Sequence, residues 1–276
     1  MTNEVNTPIA LIGGGVMGEA LIHGMLRQGL CTPEEITVGE PVAERRQTLM
    51  ETLGVRACAT NAEAVRGAPI VLLAVKPQVL NPVMASLAGH IRAEALVLSI
   101  VAGVTIETLR QGLGIGAIVR AMPNTPGQIG QGISVWTATP DVSEGQRAQA
   151  RAILGALGRE VYVEKEEDID MATALSGSGP AYVFLFIEAL IEAGVWMGFA
   201  RPIAEELALQ TVIGSALYMR ETGLHPAILR NRVTSPGGTT AEALQVLEEG
   251  AFRATVARAV MAAFLKARRL GEMKKS

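Results

Sequence analysis

Short apolar runs recur through the first half of the chain, and helical periodicity takes over in the second. Ile9 to Ile12 is the first run and reads as a buried strand. Ile36 to Gly39, Ile70 to Val75, Leu96 to Val101 and Ala117 to Ala121 repeat the pattern. Ile133 to Thr137 and Val161 to Val163 are weaker runs, placed at the far side of the sheet. Runs of this length separated by helical stretches predict a parallel sheet with crossover helices. The intervening helices are Glu19 to Gly29, Val42 to Leu53 ending at Gly54, one opening at Thr60 or Asn61, one capped by Thr105, and Arg147 to Leu157. After Glu164 the alternation stops. Lys165 to Asp168 forms a charged joint, and the rest of the chain reads as helices only. The chain therefore divides into an α/β domain over 1–164 and a helical domain over 165–276.

In the second half, Tyr182 to Met197 is apolar nearly all round, so burial on most sides is expected, with a second subunit supplying part of the cover. Glu188 and Glu192 lie inside that run, which favours a buried helix over a membrane span. Pro202 opens the next helix, whose Ala204, Leu207, Ala208, Thr211 and Ser215 form a stripe of mostly small residues. Pro226 to Arg232 is short. Phe252 to Leu270 is amphipathic, with Val256, Val260, Ala263 and Leu265 facing inward.

The first strand runs into Gly13, Gly15 and Gly18, in G-x-G-x-x-G spacing before a helix. Strand, glycine turn and helix together point to a dinucleotide site. Gly13 allows the tight turn, Gly15 lets a pyrophosphate approach the backbone, and Gly18 lets helix and strand pack closely. Val16 and Met17 between them complete the turn. The helix N-terminus offers unpaired N–H groups to the anion. Glu40 ends the second strand, where an acid binds the adenosine ribose hydroxyls. It favours NAD, whereas Arg45 and Arg46 just beyond could favour NADP, so preference stays open. Ala74, Val75, Lys76 and Pro77 end the third strand at the expected crevice.

Composition narrows the class. Hydrophobic residues make up 49% of 276 positions and the net charge is −3, which argues against disorder and against nucleic acid as a partner. The two cysteines, Cys31 and Cys58, form no framework or metal spacing, so a reducing cytoplasm fits. No metal site is expected. The polar opening MTNEVNT predicts no secretory leader, and Lys274 and Lys275 read as a solvated tail.

A second chemical stretch is Val233 to Leu244, VTSPGGTTAEAL. Gly237, Gly238, Thr239 and Thr240 can aim backbone N–H groups at one point, with Thr239 or Thr240 capping the next helix. That arrangement suits a carboxylate, although an ordinary capped turn has the same local pattern. None of His23, His90 and His225 lies in a motif that requires acid–base work.

Six stretches carry a resemblance over nearly the whole chain: IGGGVMGEAL, LAVKPQ, VAGVTIETL, MPNTP, LSGSGPAYVF and VTSPGGTTAEALQVLEEGAFR. With them the chain resembles the pyrroline-5-carboxylate reductase family. The resemblance implies an α/β Rossmann N-terminal domain followed by an all-α dimerisation domain. It implies NADPH or NADH as cofactor, pyrroline-5-carboxylate as substrate, and a homodimer that often assembles further as a pentamer of dimers. It places Asn61 on the adenosine side and Ala102 and Gly103 with Ala74 to Pro77 along the cofactor cleft. It places Ser235, Gly238 and Thr239 on the substrate carboxylate and Thr240 at the ring nitrogen, as the catalytic hydroxyl. Two positions depart from the family pattern. Glu40 stands where many members have a small or basic residue, and Val16 where a polar residue is common. A hydroxyacid dehydrogenase of similar layout would use a helical lysine, and Met171 to Met219 contains none. An intact glycine turn and carboxylate nest argue against a non-catalytic binding protein.

Overall fold

The computed structural model describes Val5 and residues 7–272; Lys274, Lys275 and residues 1–4 and 6 of the polar opening lie outside the described residues. The first compact unit comprises the chain up to Ser178 together with the residues from Ala263 on. It is built on β1 (Ile9–Ile12), α1 (Val16–Arg27), β2 (Ile36–Gly39), α2 (Ala43–Leu53), β3 (Arg56–Cys58) and α3 (Asn61–Ala64). The chain continues through β4 (Ile70–Leu73), α4 (Leu80–Leu87), β5 (Leu96–Ser99), α5 (Ile106–Leu113) and β6 (Ile118–Met122). It ends the sheet with β7 (Gly132–Ala138), α6 (Glu144–Gly155) and β8 (Gly158–Tyr162). The strand order is β3-β2-β1-β4-β5-β6-β7-β8. The first six strands are parallel, and β7 runs antiparallel to β6. The 3-2-1-4-5-6 order is the Rossmann arrangement, with its ligand crevice where the order reverses between β1 and β4.

Alternate residues of the parallel strands bury on opposite faces. Leu11, Val38, Leu72, Leu98 and Val119 join one apolar layer. Ala10, Ile12, Val71, Leu73 and Val97 join the other. Two covered faces explain why these strands read as unbroken apolar runs. Capping also obeys local chemistry. Thr105 caps α5 by accepting from the Thr108 N–H, and Gly54 ends α2 in the left-handed region at φ 70°.

Several expectations shift. Helix α1 begins at Val16, three residues before Glu19, so Gly18 lies inside it. Neither β3 nor α4 has a clear sequence signal; β3 is three residues long and its pattern is set by pairing to β2. The strand expected over Ile70 to Val75 stops at Leu73, leaving Ala74 to Lys76 as loop before a 3-10 turn, Pro77–Val79. The eighth strand is Gly158–Tyr162, shifted towards the N-terminus because it pairs with β7 from Gly132 on. The charged joint is not where the compact units divide. Short helix α7 (Glu167–Ala172) and a π-helical turn, Thr173–Gly177, remain with the first unit.

Cys31 packs in the first layer at 7% exposure. Burial, and then the nearby Glu35 charge, pushes its thiol up to about 11. The folded state therefore holds this proton more tightly than the unfolded chain, and stability drains as pH rises from about 9 towards 11. Urea midpoints taken at pH 8 and pH 10.5 should fall further for the wild type than for Cys31→Ala. Equal slopes would show that Cys31 does not set the alkaline limb.

The second unit, Gly179–Ala262, is helical. It holds α8 (Gly179–Trp196), α9 (Arg201–Thr222), α10 (Pro226–Arg232), α11 (Thr239–Glu249) and the first turns of α12 (Phe252–Glu272). Helices α8 and α9 pack where Gly194 meets Ala204; a methyl on Gly194 would stand 2.9 Å from the Ala204 Cβ. Ala204 and Ala208 are buried, whereas Leu207, Thr211 and Ser215 of the expected stripe are exposed. Helix α8 is not covered within one chain: Phe184 is 62%, Leu185 67% and Trp196 95% exposed. Val256 and Leu265 of α12 are also exposed, and among the described residues of that helix the one that buries is Ala267, in the turns that belong to the first unit. The run Glu167–Trp196 is long and apolar enough, by length and composition, to cross a membrane.

Candidate active site

The glycine turn closes the C-terminal end of β1. Gly13 has φ +100° and donates its N–H to the Gly39 carbonyl at 2.9 Å. A Cβ there would stand 2.9 Å from the Ala74 carbonyl oxygen, so only glycine lets the turn pass the end of β4. Gly18, one turn into α1, faces the Gly13 carbonyl oxygen and Leu11; a methyl there would overlap that oxygen. Gly15 is the N-cap of α1 with no side-chain cap, and a Cβ on it would meet nothing within 4 Å. The helix N-terminus therefore opens into free space, as an anion site needs.

Two cavities flank this opening and share Gly15, Ala74, Val75 and Lys76. One, of about 310 Å³, adds Gly13, Glu40 and Asn61. The other, of about 380 Å³, adds Val16, Met17, Pro77 and Ala102 and is walled by Met122 to Thr125 and Gly177. A two-lobed cleft with an uncapped helix end and a glycine at the junction fits an elongated dinucleotide. Gly103 turns away instead: at φ +66°, a Cβ on it would stand 3.0 Å from the Leu270 Cβ at the end of α12. Val16 is 61% exposed and presents only a hydrocarbon side chain. Asn61 donates to the Ser86 hydroxyl at 2.9 Å.

Glu40 is 9% exposed and is tied down at both oxygens. Oε2 accepts from the Gly14 N–H and Oε1 from the Val42 N–H, each at 3.0 Å. Arg45 donates to the Gly14 carbonyl and to Glu19, both at 2.6 Å. Arg46 donates to the Glu40 and Pro41 carbonyls at 2.8 and 2.9 Å.

The wall by Gly177 contains residues absent from the expected set. Asn124 donates to the Ser176 carbonyl at 3.1 Å and accepts from the Ile133 N–H at 2.9 Å. Behind it, Arg120 of β6 is 3% exposed and binds Glu166 at 2.8 Å and Asp170 at 2.7 Å. Glu166 also accepts the Ile106 N–H at 2.8 Å, capping α5 from a distance. The signal for Arg120 is a charge inside an apolar strand, which requires a partner.

In the second unit, Gly237 takes φ +66° and Gly238 is the extended N-cap of α11. Neither Thr239 nor Thr240 caps the helix; both lie in its first turn. Gly238 donates to the Ser235 carbonyl at 3.0 Å, and the Ser235 hydroxyl folds so closely over it that a Cβ would collide. Thr240 is half-buried and Thr239 exposed. The first N–H groups of α11 have no partner within the helix. His225 accepts from the Ala227 N–H and caps α10, a structural task.

A Rossmann unit with an open glycine-turn helix, joined to a helical unit, defines a two-domain dinucleotide-dependent oxidoreductase. The family description "Pyrroline-5-carboxylate reductase dimerisation" matches residues 166–270, and "NADP oxidoreductase coenzyme F420-dependent" matches residues 8–103. The chain is 47% identical to a pyrroline-5-carboxylate reductase of Synechocystis, over 96% of this chain and 98% of that one. It is 40% identical to that of Pseudomonas aeruginosa, over 97% and 98%. A solved Plasmodium falciparum pyrroline carboxylate reductase with NADP bound superposes with a TM-score of 0.89 at 33% identity, covering 97% of this chain and 99% of that one. The chain belongs to the pyrroline-5-carboxylate reductase family.

Proposed function

We propose that this chain reduces the C=N bond of pyrroline-5-carboxylate to give L-proline, with NAD(P)H as reductant, as the last step of proline biosynthesis. The observation that carries this reading is the 47% identity over 96% of the chain to a protein named for that reaction. The fold is consistent with it, since the cleft at the β1/β4 switch fits a dinucleotide and the α11 nest fits a carboxylate.

NAD(P)H bound in the two-lobed cleft supplies the hydride. Gly13 makes the tight turn, Gly15 gives the pyrophosphate close access to the backbone, and Val16, Met17, Ala74 to Pro77 and Ala102 line its path. Gly18 acts by keeping α1 close to β1. In the second unit, the Gly237, Thr239 and Thr240 backbone N–H groups hold the substrate carboxylate, assisted by the Ser235 and Thr239 hydroxyls, while the Gly238 N–H stays with the Ser235 carbonyl and keeps the turn closed. The ring nitrogen then sits near the Thr240 hydroxyl. Protonating that nitrogen makes the neighbouring carbon more electrophilic. Thr240 accepts a hydrogen bond from the N–H⁺ or relays a proton, but a hydroxyl is too weak an acid to drive the step alone. Positioning therefore supplies most of the acceleration, of which proximity can contribute about 7–11 kcal/mol.

Thr240→Ala tests this assignment. Losing one hydrogen bond to a charged group should lower kcat about 10- to 100-fold, with the NAD(P)H dissociation constant within about twofold of wild type in a direct titration. Unchanged turnover would remove Thr240 from the mechanism. The same reading makes the exposed face of α8, with Phe184, Leu185 and Trp196, the homodimer surface, since apolar area on this scale is rarely left open. Two unpaired cysteines suit the reducing cytoplasm.

A further inference from the structure

Spacing alone leaves two rival groups at the adenosine end of the cleft, Glu40 against Arg45 and Arg46. The structure separates them. The Glu40 carboxylate is buried and held in place by the Gly14 and Val42 N–H groups, one on each oxygen. It lines the lobe that also contains Gly13, Gly39 and Asn61. A carboxylate has about four acceptor positions, so two backbone donors leave acceptor capacity on each oxygen. A ribose diol brings two O–H donors and satisfies that capacity. A 2′-phosphate brings negative charge and acceptors alone.

The two arginines are committed elsewhere. Arg45 points at the Gly14 carbonyl and Glu19, and Arg46 clasps the carbonyls of Glu40 and Pro41. Each would have to give up bonds of 2.6–2.9 Å to meet a phosphate.

We infer that Glu40 makes this chain an NADH-selective member of its family, by accepting the adenosine ribose hydroxyls and repelling a 2′-phosphate. The inference rests on the proposed reduction only for its assay, because nucleotide binding can be measured alone.

The experiment compares NADH and NADPH with the full-length protein in two ways: kcat/KM with pyrroline-5-carboxylate, and dissociation constants by fluorescence titration. Wild type should favour NADH by about 10-fold or more in both, the scale of one like-charge contact. Glu40→Gln should shift the ratio towards NADPH by about 10-fold, with the KM for pyrroline-5-carboxylate unchanged. Wild type that favours NADPH, or a Gln variant with an unaltered ratio, overturns the inference. The wild-type ratio decides the matter even where the variant misfolds. Selective NADH binding without turnover would leave the inference standing and sink the proposed reaction instead.

Discussion

Arg120→Met should lower the thermal midpoint by roughly 6–12 °C. The guanidinium lies in β6 at 3% exposure, between Glu166 and Asp170 at 2.8 and 2.7 Å. Removing it takes from Glu166 and Asp170 the guanidinium that both carboxylates share. Breaking a buried ion pair costs about 3–5 kcal/mol. Glu166 and Asp170 retain 32% and 19% side-chain exposure, so the lower end of that range applies. For a chain of this size, 1 kcal/mol corresponds to about 2–4 °C. A thermal melt monitored by circular dichroism measures the shift. Neutralising both acids in the same variant, with Glu166→Gln and Asp170→Asn, should recover part of the loss, because neither side chain then needs the cation. A fall under about 2 °C in Arg120→Met would show the pair to be effectively solvated. The same helix that Arg120 clamps leads into the Thr173–Gly177 turn, whose Ser176 carbonyl receives the Asn124 amide. A wall of the cleft therefore depends on the Arg120, Glu166 and Asp170 charge cluster that anchors this helix.

Gly15→Ala and Gly18→Ala should fail in opposite ways. A methyl on Gly15 meets nothing of the protein within 4 Å, and its φ of −71° suits any residue. Exchanging glycine for alanine at a helix N-cap costs at most about 1 kcal/mol, so the fold survives. Dinucleotide affinity should nevertheless fall about 10- to 100-fold, because the methyl fills the space through which a pyrophosphate reaches the backbone. Gly18→Ala instead drives a methyl into the Gly13 carbonyl oxygen, with Leu11 directly behind. Overpacking of this kind costs about 1–3 kcal/mol or more, so the melting point falls along with binding. Calorimetric titration with NADH, paired with a thermal melt, separates the two outcomes. Wild-type affinity in Gly15→Ala would remove the pyrophosphate from that opening.

Much of the fold is legible in the chain. The apolar runs from Ile9 to Ala121 mark the central strands because both faces of a parallel sheet are covered. The glycine spacing marks the turn because a Cβ on Gly13 or Gly18 would run into the backbone, and Gly15 leaves the helix N-terminus open. Other features are not legible. A three-residue strand such as β3 carries too few positions to show a period and forms only because β2 offers it an edge. Tyr182 to Met197 reads as a helix whose cover comes partly from a second subunit, and in the single chain Phe184, Leu185 and Trp196 stand exposed. Apolar pattern marks a surface that needs cover without naming the chain that supplies it.

The sequence by itself determined the central strands, the glycine turn and the family, because each rests on local residue chemistry at fixed spacing. Only the tertiary structure decided which rival at the adenosine end faces the cleft. Glu40, Arg45 and Arg46 sit within seven residues of one another. Their roles depend on the Gly14 backbone, 26 positions from Glu40, whose N–H takes the carboxylate and whose carbonyl takes Arg45. The same holds for Arg120, whose partners lie 46 and 50 positions further on. Long-range hydrogen bonds select among side chains that spacing alone leaves equivalent, because a buried charge must take whichever partner the fold brings to it.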